Sequence, residues 1–244
     1  MYDLHNHLLP GIDDGAQNLE SALELAQIAV NDGITHMVCT PHIHLGRYDN
    51  TVETIKAAYT KFTQALKEQN IPLTIAFGAE VRIGPEILQL ATQQALPFIG
   101  KQDGMDVLLL EFPTNSIPLG SDKLINWLFK QNIKPMIAHP ERNLVFQEHP
   151  ERLDAFLKRG CLTQVTGGAF LGNFGISAQN LAIRLLEKSA INIVASDAHN
   201  SAYRPPVLSN AYSKVSELSS IEVANSLFTE NPKTIAQPKF IGAF

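Results

Sequence analysis

Cysteine is scarce in this chain of 244 residues, with two in all, Cys39 and Cys161. Both lie in apolar, strand-like runs without CxxC spacing, as expected of two buried thiols in a reducing cytoplasm. Positive charge is not in excess either. Nineteen Lys and Arg against 24 Asp and Glu leave a formal net charge of −5, which gives no general attraction to nucleic acid or anionic lipid. No stretch approaches the roughly 18 uninterrupted apolar residues of a membrane span. Nor does a basic end followed by an apolar run open the sequence, so a cytoplasmic protein with no membrane insertion is expected. No Gly/Ser-rich or charged linker, internal repeat or low-complexity segment divides the chain, and residues 1–244 are expected to form one domain. What is present is a hydrophobic content of 45% and a charged content of 18%, enough to bury a real core.

Hydrophobic periodicity alternates between two and 3.6 residues along the chain. Seven strands are predicted, beginning near residues 2, 34, 73, 106, 134, 162 and 191. Helical patterns fall between or after them, at about 18–32, 51–69, 87–94, 122–131, 151–159, 177–188, 207–218 and 221–228. Gly33 and Gly160 close two of the helices, 167–169 reads as a small-residue turn, and the end of the chain reads as a mostly irregular tail. This order predicts a parallel sheet, and right-handed crossovers at this length favour a closed or nearly closed α/β barrel.

The first fourteen residues carry the strongest chemical signal, His5-Asn6-His7 followed by Pro10-Gly11 and then Asp13-Asp14. In an extended segment His5 and His7 point to one side and Leu4 and Leu8 to the other. The Pro-Gly turn can bring the two carboxylates back toward the imidazoles. Later strands end in the same residue types: His42, Glu80, Glu111, His139, then Asp197 and His199. In an α/β barrel those ends converge on one mouth. Six of the seven strands contribute, and Asp14 joins from the first loop. Buried charges need partners or metals, so the set predicts a metal centre. Nine ligands suffice for two or three divalent ions, with Glu80 as the bridging carboxylate. Mn, Fe, Zn and Co all tolerate such a shell. Coordination lowers the pKa of water to about 7, which predicts hydrolysis. Arg142 and Arg204 follow ligand histidines closely on the same loops, and a guanidinium binds phosphate oxygens bidentately, which makes them candidates for a phosphate clamp. Glu141 beside Arg142 is the competing ion-pair partner, and Arg47 and Arg82 are evenly balanced between the two roles.

The opening DLHNHLLPGIDDG, TPH at 40–42, GAE at 78–80, HPER at 139–142 and SDAH at 196–199 resemble the polymerase and histidinol phosphatase (PHP) superfamily. More narrowly, the HxHxxPxxDDG opening, the HPERN run and SDAHN with a downstream Arg-Pro resemble the bacterial protein-tyrosine phosphatases of capsular and exopolysaccharide operons, the CpsB/CapC/YwqE type. The resemblance implies a distorted (β/α)7 barrel with a trinuclear, usually manganese-dependent centre. It implies as substrate the tyrosine-rich tail of a membrane-associated bacterial tyrosine autokinase that controls polysaccharide export. Carried onto this chain, it places one ion on His5, His7, Glu80 and Asp197, a second on Glu80, Glu111 and His139, and a third on Asp14, His42 and His199. Arg142 and Arg204 would orient the phosphate, and His42 or a metal-bound water would be the acid.

A cysteine-dependent phosphatase is excluded by spacing, since five residues separate Cys and Arg in that loop and the corresponding positions here are Leu45 and Gly167. Two other readings stay open. One is a small-molecule phosphomonoesterase acting on histidinol phosphate or a similar ester, which Glu111 disfavours because the wider superfamily often has histidine there. The other is a catalytically weak, metal-binding regulator of the kinase.

Overall fold

The computed structural model describes residues 1–241. Its strands are β1 (Tyr2–Asp3), β2 (His36–Cys39), β3 (His42–Ile43), β4 (Thr74–Phe77), β5 (Glu80–Arg82), β6 (Gly100–Gln102), β7 (Met105–Glu111), β8 (Ile133–Ala138), β9 (Leu162–Thr166) and β10 (Ile193–Ala195). Only two residues separate β2 from β3 and β4 from β5, so each pair occupies one barrel position. β1, β2 and β4 pair in parallel, and so do β3, β5, β7, β8, β9 and β10 in that order. The ring closes where the chain beyond β1 meets the chain beyond β10. There the Asp197 amide donates to the His5 carbonyl and the His7 amide to the Ala198 carbonyl, each at 2.8 Å. The α/β barrel expected from the alternating pattern is therefore present, in the distorted seven-position form that the resemblance implies.

The helices are α1 (Leu19–Asn31), α2 (Val52–Glu68), α3 (Glu86–Thr92), α4 (Ser121–Lys130), α5 (Leu144–Glu148), α6 (Pro150–Leu157), α7 (Gly167–Phe170), α8 (Ile176–Glu187), α9 (Ser209–Leu218), α10 (Ile221–Asn225) and α11 (Asn231–Phe240). Local sequence starts the first two. Asn18 accepts from the Ser21 amide while Ser21 accepts in return, and Thr51 with Thr54 does the same, so two reciprocal caps satisfy amide groups that each helix would otherwise leave free.

Strand alternation divides the core in two. Leu4, Val38, Ala76, Leu109, Met136, Leu162 and Ile193, one from each barrel position, form an inner cluster. Their sequence neighbours Met37, Cys39, Ile75, Leu108, Leu110, Ile137, Cys161 and Val194 join the larger layer under the helices. Ile235 and Ala236 of α11 complete the inner cluster.

Five features differ from expectation. The irregular tail is mostly α11, because Ile235 and Ala236 cover apolar residues inside the ring; residues 242–244 of that tail lie outside the described residues. β6 forms an antiparallel hairpin with β7, turned at Asp103-Gly104, and α11 packs so close to Gly100 that a Cβ there would sit 1.9 Å from the Ile235 carbonyl oxygen. The 167–169 turn is the short helix α7, and α5 precedes α6. Leu4 and Leu8 do not share a face. Regular strand geometry stops at Asp3, so strict alternation does not carry through: Leu4 enters the inner cluster and Leu8 the outer layer.

Candidate metal centre

The strand ends bring all nine expected ligand residues to one end of the barrel. Eight have side chains no more than 12% exposed, and Asp14 on the first loop is 41% exposed. His5 Nε2 and His7 Nε2 lie 3.4 Å apart. Glu80 Oε2 is 3.3 Å from the first and 3.5 Å from the second, and Asp197 Oδ1 is 3.3 and 3.4 Å from them. His42 bridges outward, with Nδ1 3.0 Å from Glu80 Oε2 and Nε2 3.3 Å from Asp14 Oδ1. His139 Nε2 lies 2.7 Å from Glu80 Oε1, and His199 Nε2 lies 3.5 Å from Asp14 Oδ1.

Donor atoms gather into four overlapping groups: His5, His7 and Glu80; His5, His139 and Asp197; His42, Glu80 and Glu111; and His7, Asp14, His42 and His199. Across these groups the structure brings His5, His7, Glu80 and Asp197 near one another, and within one of them Asp14, His42 and His199. In place of the implied set Glu80, Glu111 and His139, His42 stands beside Glu80 and Glu111, while His139 groups with His5 and Asp197.

The surroundings fix which nitrogen faces inward. Gln164 Oε1 takes the His139 backbone amide at 3.2 Å, so that atom is an acceptor, and His5 Nδ1 at 2.7 Å must be the donor to it. His7 Nδ1 donates to Asp13 Oδ2 at 2.7 Å, and His199 Nδ1 to the Asp197 carbonyl at 3.0 Å. In all three rings Nε2 is left to face the other donors, which is how outer partners prepare histidines for metal. Asp13 also accepts from the His42 and Gly15 amides, at 3.1 and 3.0 Å. A Cβ on Gly15 would stand 2.0 Å from the His7 carbonyl oxygen, so only glycine lets this loop lie so close.

Burial pushes Glu80 up, but His5, His42 and His139 outweigh it and hold the carboxyl well below its usual range. Asp197 behaves alike: burial raises it, while His5, Arg142, His7 and Arg204 hold it well below. Burial, then the Glu80 charge, push Glu111 up to about 7. Burial and Arg142 pull His139 down to about 4 despite Glu80. The centre thus combines fixed anions with converging imidazoles, and Glu80 Oε2, Glu111 Oε2 and His42 Nδ1 are buried without a hydrogen-bond partner among the described residues. Buried, unpartnered donor atoms of these types suit divalent cations. His139 and Asp197 have φ of 30° and 51°, left-handed backbone unusual outside glycine, so both strand ends hold strain at this site.

Arg142 and Arg204 reach the centre from separate loops and bind the same oxygen, Asp197 Oδ2. Glu141, the competing partner of Arg142, turns instead to the Thr166 amide at 2.9 Å. Arg82 Nε pairs with Glu111 Oε2 at 3.1 Å, and Arg47 lies over the Tyr48 ring, which stacks on His42. These side chains line a cleft of about 160 Å³ above the ligand atoms.

Gln164 was not legible as a functional residue, since its strand ends in no ligand. Its signal was a glutamine at the centre of a short strand that buries every residue. Cys39 and Cys161 are free and buried, and among the described residues no helix is long and apolar enough to cross a membrane.

Comparison with known proteins finds relatives over most of the chain. A family model described as "Capsular polysaccharide synthesis, CpsB/CapC" matches residues 1–237. Tyrosine-protein phosphatase YwqE of Bacillus subtilis is 36% identical over 201 residues, covering 82% of this chain and 78% of that protein. Tyrosine-protein phosphatase CpsB of Streptococcus pneumoniae is 26% identical over 246 residues, covering 99% of this chain and all of that protein. A crystal structure from work on YwqE and CpsB, described as unique metal-dependent tyrosine phosphatases, superposes with a TM-score of 0.90 at 32% identity, covering 98% of this chain and 95% of that one. The phosphotriesterase homology protein from Escherichia coli, at 12% identity and a TM-score of 0.58 over 97% of this chain and 98% of that one, shares the fold.

Proposed function

The chain belongs to the CpsB/CapC capsular polysaccharide synthesis family, and from that membership we propose that it is a metal-dependent protein-tyrosine phosphatase. Its proposed substrate is the phosphorylated, tyrosine-rich tail of a bacterial tyrosine autokinase that governs capsular or exopolysaccharide synthesis. The observation that carries the hydrolase reading is the meeting of five imidazoles and four carboxylates beneath two arginines. We assign His5, His7, Asp14, His42, Glu80, Glu111, His139, Asp197 and His199 to two or three divalent ions, with manganese preferred. Bound ions would supply positive charge against the phosphoryl oxygens and acidify water at neutral pH.

The chain's own residues do the rest. Glu80, with one oxygen toward His139 and the other toward His5, His7 and His42, joins the parts of the centre and keeps their spacing. Arg142 and Arg204 hold permanent charge at the cleft, where they orient the phosphoryl group and stabilise charge that grows on it. Both nitrogens of His42 face other ligand residues, Nε2 toward Asp14 and Nδ1 toward Glu80, which favours a ligand role over that of a free acid. Little acid help is required, because a phenol leaves with a pKa of about 10.

The test is elemental analysis of the purified protein together with hydrolysis of a phosphotyrosine peptide and of histidinol phosphate, before and after chelation. Peptide turnover that vanishes on chelation and returns with Mn is expected. Full turnover by metal-free protein would refute the mechanism, and preference for histidinol phosphate would refute the substrate.

A further inference from the structure

A groove of about 530 Å³ lies between the loop after β5 and the segment leading into α4. Its walls are mostly apolar: Ile83, Pro85, Leu88, Leu119, Leu124 and Trp127. Leu119 is fully exposed and Leu88 is 40% exposed, although apolar side chains of that size are usually covered when they cluster. Nothing in the metal chemistry accounts for this surface.

Its position does. The two loops that form it follow β5 and β7, the strands that carry Glu80 and Glu111, so it opens on the same end of the barrel as the metal centre. The surface is continuous from one to the other. His44 and Arg82 line both the metal cleft and an intermediate depression, and Ile83, Gly84 and Pro85 line both that depression and the groove. Arg82 is the seam: its Nε meets Glu111 on the metal side, and the next residue, Ile83, begins the apolar wall.

Resting on the phosphotyrosine reading above, we propose that this groove is a substrate-docking subsite for a large apolar side chain of the phosphorylated polypeptide, three to five residues from the phosphotyrosine. The spacing follows from the chain itself. From Glu80 to Pro85 is five residues, at most ~17 Å at ~3.3 Å per extended residue, and an extended ligand lying alongside advances at the same rate. The volume is that of a pocket for side chains. A second copy of this chain would need roughly 800 Å² of buried surface per partner, which this groove alone does not offer. The phosphate would be held by the metal centre and the arginines, and the groove would select which phosphotyrosines are presented.

The test uses phosphotyrosine peptides in a Ser/Gly background with one Leu or Phe walked from five residues before to five residues after the phosphotyrosine, with p-nitrophenyl phosphate as the small-substrate control. The wild-type chain is compared with Leu88→Asp and Leu119→Asp, both at exposed positions and so expected to fold. We expect a preferred Leu or Phe position that raises kcat/KM by roughly tenfold, mainly through KM. Both variants lose that preference and keep the wild-type rate on p-nitrophenyl phosphate. Equal turnover of all peptides, or variants that retain the preference, would overturn the subsite while leaving the phosphatase reading intact. No phosphotyrosine turnover by the unaltered chain would overturn both. Variants that change only the elution volume, from oligomer to monomer, would overturn the subsite in favour of a self-association face.

Discussion

Gln164 Oε1 stands 2.7 Å from His5 Nδ1 and also receives the His139 backbone amide, so one side chain from β9 ties together residues that reach the centre from two other strands. Its own amide nitrogen is buried without a partner among the described residues, a cost that packing does not explain. Replacing Gln164 by Leu keeps the shape and removes the anchor of His5. Metal affinity, measured by competition with a chelator, should fall about 10- to 100-fold, and the two donors left without an acceptor should lower the melting temperature of the metal-free protein. Unchanged affinity would remove Gln164 from the site.

Gly15 tests the loop that carries Asp13 and Asp14. Alanine there would force its Cβ into the His7 carbonyl, and the loop must retreat. Gly15→Ala should lose ~1–3 kcal/mol of stability and bind less metal than wild type, read by thermal melting and by metal stoichiometry. Wild-type behaviour in both would show that the close approach is dispensable.

The two arginines share Asp197 Oδ2 but come from different loops, so each can be removed separately. Arg142→Ala and Arg204→Ala should each cost about 10²- to 10³-fold in kcat on a phosphotyrosine peptide while the metal content stays at the wild-type level. Wild-type rates in both variants would refute the phosphate clamp.

Thiol chemistry gives a control in the opposite direction. Burial pushes the Cys161 thiol up to about 12 and the Cys39 thiol still further, so neither supplies a thiolate at neutral pH. Iodoacetamide should leave the native protein unlabelled by mass spectrometry and fully active. One equivalent of label accompanied by loss of turnover would restore a cysteine to the mechanism.

Much of the barrel and of its centre is legible in the sequence, for a local reason. β7 from Val107 onward and β10 throughout are buried and read as unbroken apolar runs, and Glu111 and Asp197 stand at or just beyond their ends. What escaped depends on contacts remote in sequence. α11 has a weakly amphipathic sequence with Pro238 inside it, and its reason to be helical is the inner cluster it covers. Gln164 acquires meaning only beside His5, which lies 159 residues away. The Asp103-Gly104 turn was a missed opportunity, because that dipeptide is itself a hairpin signal.

The backbone bonds from Asp197 to His5 and from His7 to Ala198 join the two ends of the strand series at the level of the ligands. Closing the ring and assembling the ion-binding shell are therefore one thermodynamic event. Any ion that prefers the closed ring must stabilise the whole barrel by RT ln(1 + [L]/Kd), about 2.7 kcal/mol at a hundredfold excess over Kd. The melting temperature of this protein should then serve as a gauge of free metal.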